Sequence, residues 1–157
     1  MKITIHLPVT PAIKKYLVRS LTKEKQDYVL NIDDWFGLIV INMLENKSSK
    51  NYNITPTQEG QKTEIFDIQL SISAAQKNGF IILPQHETAI FNIVDRMFRE
   101  SMYKTALINK KNYQIDYQTS INDILDSYDI TEEEMSYDAI KRDFNRKKEK
   151  LKDTLYL

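Results

Sequence analysis

Phe66-Asp67-Ile68-Gln69-Leu70-Ser71-Ile72-Ser73 alternates apolar and polar side chains without a break. Successive side chains of an extended strand point to opposite faces, so this stretch predicts a strand with one buried and one wet face. A strand needs a partner for its backbone donors and acceptors, and the start of the chain offers one. There Ile3, Ile5 and Leu7 share one parity and Lys2, Thr4 and His6 the other. Pro8 and Pro11 predict the end of that first strand.

Working outward, two helical patterns lie between these strands. Ile13, Leu17, Val18 and Leu21 recur at helical spacing, with Thr10 as N-cap and Pro11 at the first helical position. Asp33-Asp34 then precede Trp35-Phe36-Gly37-Leu38-Ile39-Val40-Ile41-Asn42-Met43-Leu44, whose apolar density predicts a helix buried on most sides. Residues 45–62 are polar, without clean periodicity, and read as an exposed loop.

After the deciding strand, residues 74–79 read as a turn. Phe80-Ile81-Ile82-Leu83 fits either a short strand or an apolar lead-in to the helix that Pro84 opens. Over residues 85–108, Ile90, Val94, Met97, Phe98 and Met102 form one stripe and predict a long amphipathic helix. A polar connector, 109–118, leads to a small helix over 120–128 with Ile121, Ile124, Leu125 and Tyr128 inward. The last helix is expected to begin near Thr131, where Thr131-Glu132-Glu133-Glu134 fits a capping box; its stripe is Tyr137, Ile140, Phe144 and Leu151. The fold class expected is α+β: a small antiparallel sheet packed on several helices, with a C-terminal helix-turn-helix-like pair. The expected organisation is an α+β core over residues 1–110 and a helical segment over 119–157.

With 157 residues, 41% of them apolar, the chain can bury one sizeable core. Its apolar runs fall short of the roughly 20 residues that span a bilayer, so no membrane partner is expected. The N-terminus alternates and is broken by Pro8, which predicts a strand of the fold in place of a signal peptide. Cysteine is absent. That excludes disulfides, thiolate zinc sites and cysteine nucleophiles, and fits a cytoplasmic protein. The 22 basic and 22 acidic residues cancel, but not evenly along the chain. Residues 119–139 hold seven acidic and no basic residues, whereas 140–157 hold seven basic and three acidic ones.

The expected pair of C-terminal helices, joined by Asp129-Ile130, is followed by basic residues on the second helix. That order resembles the arrangement in which a helix-turn-helix lays its second helix in the major groove of duplex DNA. On this reading Lys141, Arg142, Asn145, Arg146, Lys147 and Lys148 form a nucleic-acid-binding set, with arginines on phosphates or guanine edges and Asn145 on an adenine edge. The backbone dipole offers a ligand-free reading of the same residues, because acidic side chains favour helix starts and basic ones helix ends. The alternative function is a non-enzymatic interaction or assembly protein whose partner is itself or another protein.

Ile3-Thr4-Ile5-His6-Leu7-Pro8-Val9-Thr10-Pro11 with Lys14-Lys15-Tyr16-Leu17, and Tyr128-Asp129-Ile130-Thr131-Glu132-Glu133-Glu134 with Asp138-Ala139-Ile140-Lys141-Arg142, resemble small uncharacterised proteins of Bacteroidetes phages and mobile elements. The resemblance carries no activity and no functional residue. It implies a genomic setting in which DNA-binding, virion and host-takeover proteins are common.

Enzyme chemistry is not expected. His6 and His86 are eighty positions apart, and Gly37, Gly60 and Gly79 are isolated, so neither a histidine metal pair nor a phosphate loop is encoded. Asp33-Asp34 and Glu132-Glu133-Glu134 could ligate magnesium, yet both clusters sit at expected helix starts, where acidic residues stabilise without a metal. The nine tyrosines lack converging arginines and histidines for strand transfer. Trp35 and Phe36 could line a pocket but read as core. No catalytic residue, metal site or cofactor is expected.

Overall fold

The computed structural model describes residues 1–23, 26–46 and 62–157. Most of the expected polar loop, 47–61, lies outside the described residues. In chain order the elements are β1 (Lys2–Val9), α1 (Pro11–Leu21), β2 (Tyr28–Val29), α2 (Trp35–Ile41), β3 (Leu44–Glu45), β4 (Glu64–Ser71), α3 (Ile72–Asn78), β5 (Ile81–Ile82), α4 (Pro84–Tyr113), α5 (Tyr117–Ser127) and α6 (Tyr137–Leu155). The fold is α+β. The chain divides into two compact units, Met1–Ile93 and Val94–Leu157, so the division falls within α4.

The first unit is built on the two strands that the alternation predicts. β1 and β4 pair antiparallel, with Ile5 opposite Ile68 and Leu7 opposite Phe66, which puts all four on one buried face. β1 runs through Pro8 to Val9, because proline removes a donor but is tolerated on an edge strand. β2 joins the other side of β4 in parallel, so the three-stranded sheet is mixed, in order β1-β4-β2. At two residues, β2 is too short for alternation to reveal.

Thr10 caps α1 through Ile13 N, with Pro11 at its first position, as expected. α2 is shorter than its apolar run. Phe36 is fully buried edge-on to Phe66, with ring centroids 5.6 Å apart, whereas Leu38, on the other side of the helix, is half exposed. Within the helix, burial therefore holds for Phe36, Gly37 and Val40. Met43 falls in a turn, and Leu44 leaves the helix to form β3.

Ser71 ends β4 by capping α3, accepting from Ala74 N at 3.1 Å. Residues read as the end of a strand and a turn are thus a two-turn helix. Gly79 stops it with φ +92°, a conformation open to glycine, and a Cβ there would lie 2.5 Å from the Glu45 backbone. That close approach lets Phe80 N donate to Glu45 O at 3.1 Å, and Ile82 then pairs with Leu44. The segment that fitted two readings is a strand.

In the second unit, Val94, Phe98, Met102, Tyr103 and Leu107 of α4 are buried, as are Ile121 and Leu125 of α5 and Ile140, Phe144 and Leu151 of α6. Burying each such side chain stabilises the unit by about 1.5–3 kcal/mol. The expected tight Asp129-Ile130 turn is not what joins the last two helices. Residues 128–136 connect them, and α6 begins at Tyr137.

The physical reason lies in competing caps. Glu134 does reach back to Thr131 N (3.1 Å) and Thr131 Oγ1 (2.9 Å), as a capping box should. Only one turn follows, because the Glu132 carboxylate then takes Tyr137 N at 3.1 Å and Ser136 Oγ takes Ala139 N at 3.3 Å. Ser136 is the cap that opens the helix. The connection is longer than the three or four residues of a helix-turn-helix.

Candidate nucleic-acid interface

The carboxylates considered for magnesium are engaged by the fold. Asp34 caps α2 through Gly37 N at 2.6 Å and accepts the buried Tyr28 hydroxyl at 2.9 Å. Burial first, and then the Asp34 carboxylate, hold the Tyr28 hydroxyl well above its ordinary pKa. Glu132 and Glu134 are occupied as caps. Among the described residues no three histidine, aspartate or glutamate side chains converge to hold a metal ion.

The two histidines stay apart. His6 pairs across the sheet with Asp67 at 2.5 Å on its exposed face, and His86 Nδ1 lies 3.2 Å from the Met43 carbonyl. Glu87, beside His86, is raised in pKa by burial, against the opposing charge of Lys62. Trp35 stacks on Tyr16 at 6.2 Å and meets Phe36 edge-on at 5.7 Å.

α6 carries the six residues singled out for nucleic acid, and its 3.6-residue turn sorts them onto different sides. Ile140, Phe144 and Leu151 define the buried stripe. Opposite it stands a crest of Asp138, Arg142, Glu149 and Asp153, all exposed. On one flank of the crest lie Tyr137, Lys141, Asn145, Lys148 and Lys152, a strip without a carboxylate. The other flank holds Arg146, Lys147 and Lys150 around Asp143. The structure therefore does not bring the six expected residues onto one face: Lys141, Asn145 and Lys148 share a flank, Arg142 sits on the crest, and Arg146 and Lys147 lie beyond it.

Asp143 anchors that second flank. Its carboxylate accepts the fully buried Tyr103 hydroxyl at 2.7 Å, Arg146 Nη2 at 2.9 Å and Lys147 Nζ at 3.2 Å. Its side chain is only 13% exposed, so α6 turns this acidic group inward. Burial pushes the Asp143 pKa up, but bonds from Tyr103 and Lys147 and the charges of Lys147 and Arg99 outweigh it and hold the group below the ordinary carboxylate range. Arg146 and Lys147 are correspondingly committed. On the crest, Arg142 Nε reaches the Asp138 carbonyl at 3.4 Å. Among the described residues none of the six bonds a carboxylate of residues 123–138.

The first flank is completed from a neighbouring helix. Tyr117, the first residue of α5, sits edge-on to Phe144 at 5.0 Å and carries Lys148 Nζ 5.5 Å over its ring. Tyr137 is half-buried beside Asp116, the cap of α5; partial burial and then the charges of Asp116 and Asp138 raise its pKa. Asp116 is in turn held by Thr119 N and Oγ1 at 2.9 Å and feels the charge of Lys110. Lys152, 3.8 Å from Glu149, extends the strip. Tyr117 and Lys152 were not singled out from the sequence. Tyr137, Lys141, Lys148 and Lys152 are spaced by four, seven and four residues, which signals one helical side, but Tyr117 joins only through tertiary contact.

At the start of the connection, a cleft of about 440 Å³ is lined by Asn122, Leu125, Asp126, Asp129, Ile130, Thr131 and Glu132. Its acidic rim is unsuited to phosphate. No helix among the described residues is long and apolar enough to cross a membrane. Compared with protein-family models, curated proteins and solved structures, the chain matches none.

Proposed function

We propose that the protein binds DNA through the flank of α6 that carries Lys141, Asn145, Lys148 and Lys152. The observation behind this is the strip itself: three lysines and an amide on one side of a helix, with every carboxylate of α6 lying outside it. Lysines so placed bind phosphates as point charges, releasing counterions and giving affinity with little sequence preference. Arg142 and Arg146 lie outside the strip, since the first shares its crest with three carboxylates and the second is held by Asp143. The crest would repel phosphate in a groove, so α6 lies along the backbone.

The test is anisotropy of a labelled oligonucleotide over a salt series. Affinity is expected to fall as salt rises, and Lys141→Ala should make the log–log slope shallower by about 0.7–0.9. Absence of binding at low salt removes the proposal.

The mixed crest favours a second reading. Asp138, Arg142, Glu149 and Asp153 set one arginine among three carboxylates along an exposed helix side, a mixed-sign pattern suited to a protein partner. On that reading Arg142→Glu, and not Lys141→Ala, would abolish self-association in light scattering or capture of a protein partner.

A further inference from the structure

We propose that the α6 flank takes unpaired DNA bases, stacking them on Tyr117 and Tyr137 while Lys141, Lys148 and Lys152 hold the phosphates. This rests on the DNA reading above and names the form of DNA that the site prefers. A lysine strip alone is indifferent to strandedness; interleaved aromatic rings are not, because bases within a duplex already stack on each other.

Three observations bring the rings and charges together. Tyr117 is fixed from behind by the buried Phe144, 5.0 Å away at an interplanar angle of 66°, which leaves the ring as a platform of set orientation. The face it presents is covered by the Lys148 ammonium at 5.5 Å, a flexible cation that an incoming base can displace onto its own phosphate. Tyr137 stands at the start of the same strip, only half-buried, and one turn before Lys141. From Tyr137 to Lys152 the strip runs about 22 Å at 1.5 Å per residue, room for a few nucleotides.

The charges fit a single strand better than a groove. Asp138, Glu149 and Asp153 border the strip along the crest and would face the second strand of a duplex, whereas a single strand can follow the lysines alone. At the Tyr137 end Asp138 belongs to the crest, the Glu132 carboxylate accepts Tyr137 N at 3.1 Å, and beside them lies Asp116. The Asp116 carboxylate is spent on capping α5, and the nearby Lys110 offsets its charge.

The experiment compares a labelled twelve-nucleotide oligo-dT with a twelve-base-pair duplex on the full chain at one salt concentration. Oligo-dT is expected to bind at least roughly 5-fold more tightly, and Tyr137→Ala to weaken oligo-dT by roughly 5-fold or more, a larger loss than it causes for the duplex. Tyr117→Phe keeps the ring and should keep oligo-dT affinity, whereas Tyr117→Leu should lose it; a circular-dichroism melt establishes that each variant is folded. Equal affinity for both DNAs, or folded tyrosine variants with undiminished oligo-dT binding, overturns the stacking inference and leaves the DNA reading standing. Binding to neither DNA removes both.

Discussion

Each unit contains a buried tyrosine whose hydroxyl donates to an aspartate, and the two pairs are used differently. In the first unit Asp34 accepts from Tyr28 and caps α2. Both bonds serve the fold. In the second, Asp143 accepts from Tyr103 and also reaches out to Arg146 and Lys147. It takes a negative charge out of the surface and organises cations around it. One carboxylate closes a local turn, whereas the other shapes what the surface shows to a partner.

Gly37→Ala should break the first region most severely. A Cβ there would lie 1.8 Å from the Asn31 carbonyl oxygen and 3.0 Å from the Tyr28 hydroxyl, displacing the loop that Asp34 organises. The expected cost is about 3 kcal/mol or more, read as a lower urea midpoint. A midpoint within 0.5 M of the wild type, on the order of one kcal/mol, would mean that Asn31 yields freely.

Next in size is Tyr103→Phe, which removes one bond to Asp143 while keeping the ring against Phe144. A hydrogen bond to a charged group contributes about 1.5–3 kcal/mol, so the loss should fall in that range. Tyr28→Phe should cost a similar amount but leave DNA binding untouched. Equal effects of the two variants on DNA affinity would erase the distinction between the regions.

The smallest effect concerns pH. The folded pKa of Asp143 is depressed, so its stabilisation is present above the unfolded value of about 3.9 and is lost as pH falls through the folded one. Asp143→Asn should flatten that part of the acid limb of a stability–pH curve, and by releasing Arg146 and Lys147 it should raise DNA affinity. An unchanged acid limb would show that Asp143 gains nothing on folding.

The contrast also explains what could be read from the chain. The pairing of β1 with β4, the start of α1, the α+β class and the inward placing of Ile140, Phe144 and Leu151 follow from periodicity and capping, which act locally; Tyr137, expected in the same stripe, is only half-buried at the first position of α6. β2 and β3 are two-residue strands below any periodic signal. α3 was hidden because Ser71 both ends an alternation and caps a helix. The start of α6 was misplaced because Thr131 and Ser136 are both good caps, and only the reach of Glu132 to Tyr137 N decides between them.

The candidate site was legible in residue type but not in arrangement. Lys141, Arg142, Asn145, Arg146, Lys147 and Lys148 are basic or polar neighbours in sequence, yet helical geometry and Asp143 place them on two flanks and a crest. Tyr117 belongs to a different helix and enters only through its contacts with Phe144 and Lys148.

The most direct measurement is the salt dependence of oligonucleotide binding for two variants, Lys141→Ala/Lys148→Ala/Lys152→Ala on the flank and Arg142→Ala on the crest. The flank variant should lose about 2–3 units of log–log slope and most of its affinity, and the crest variant should keep a slope close to that of the wild type. A crest variant that loses as much as the flank variant, or a wild-type protein that binds no DNA at low salt, would contradict the account.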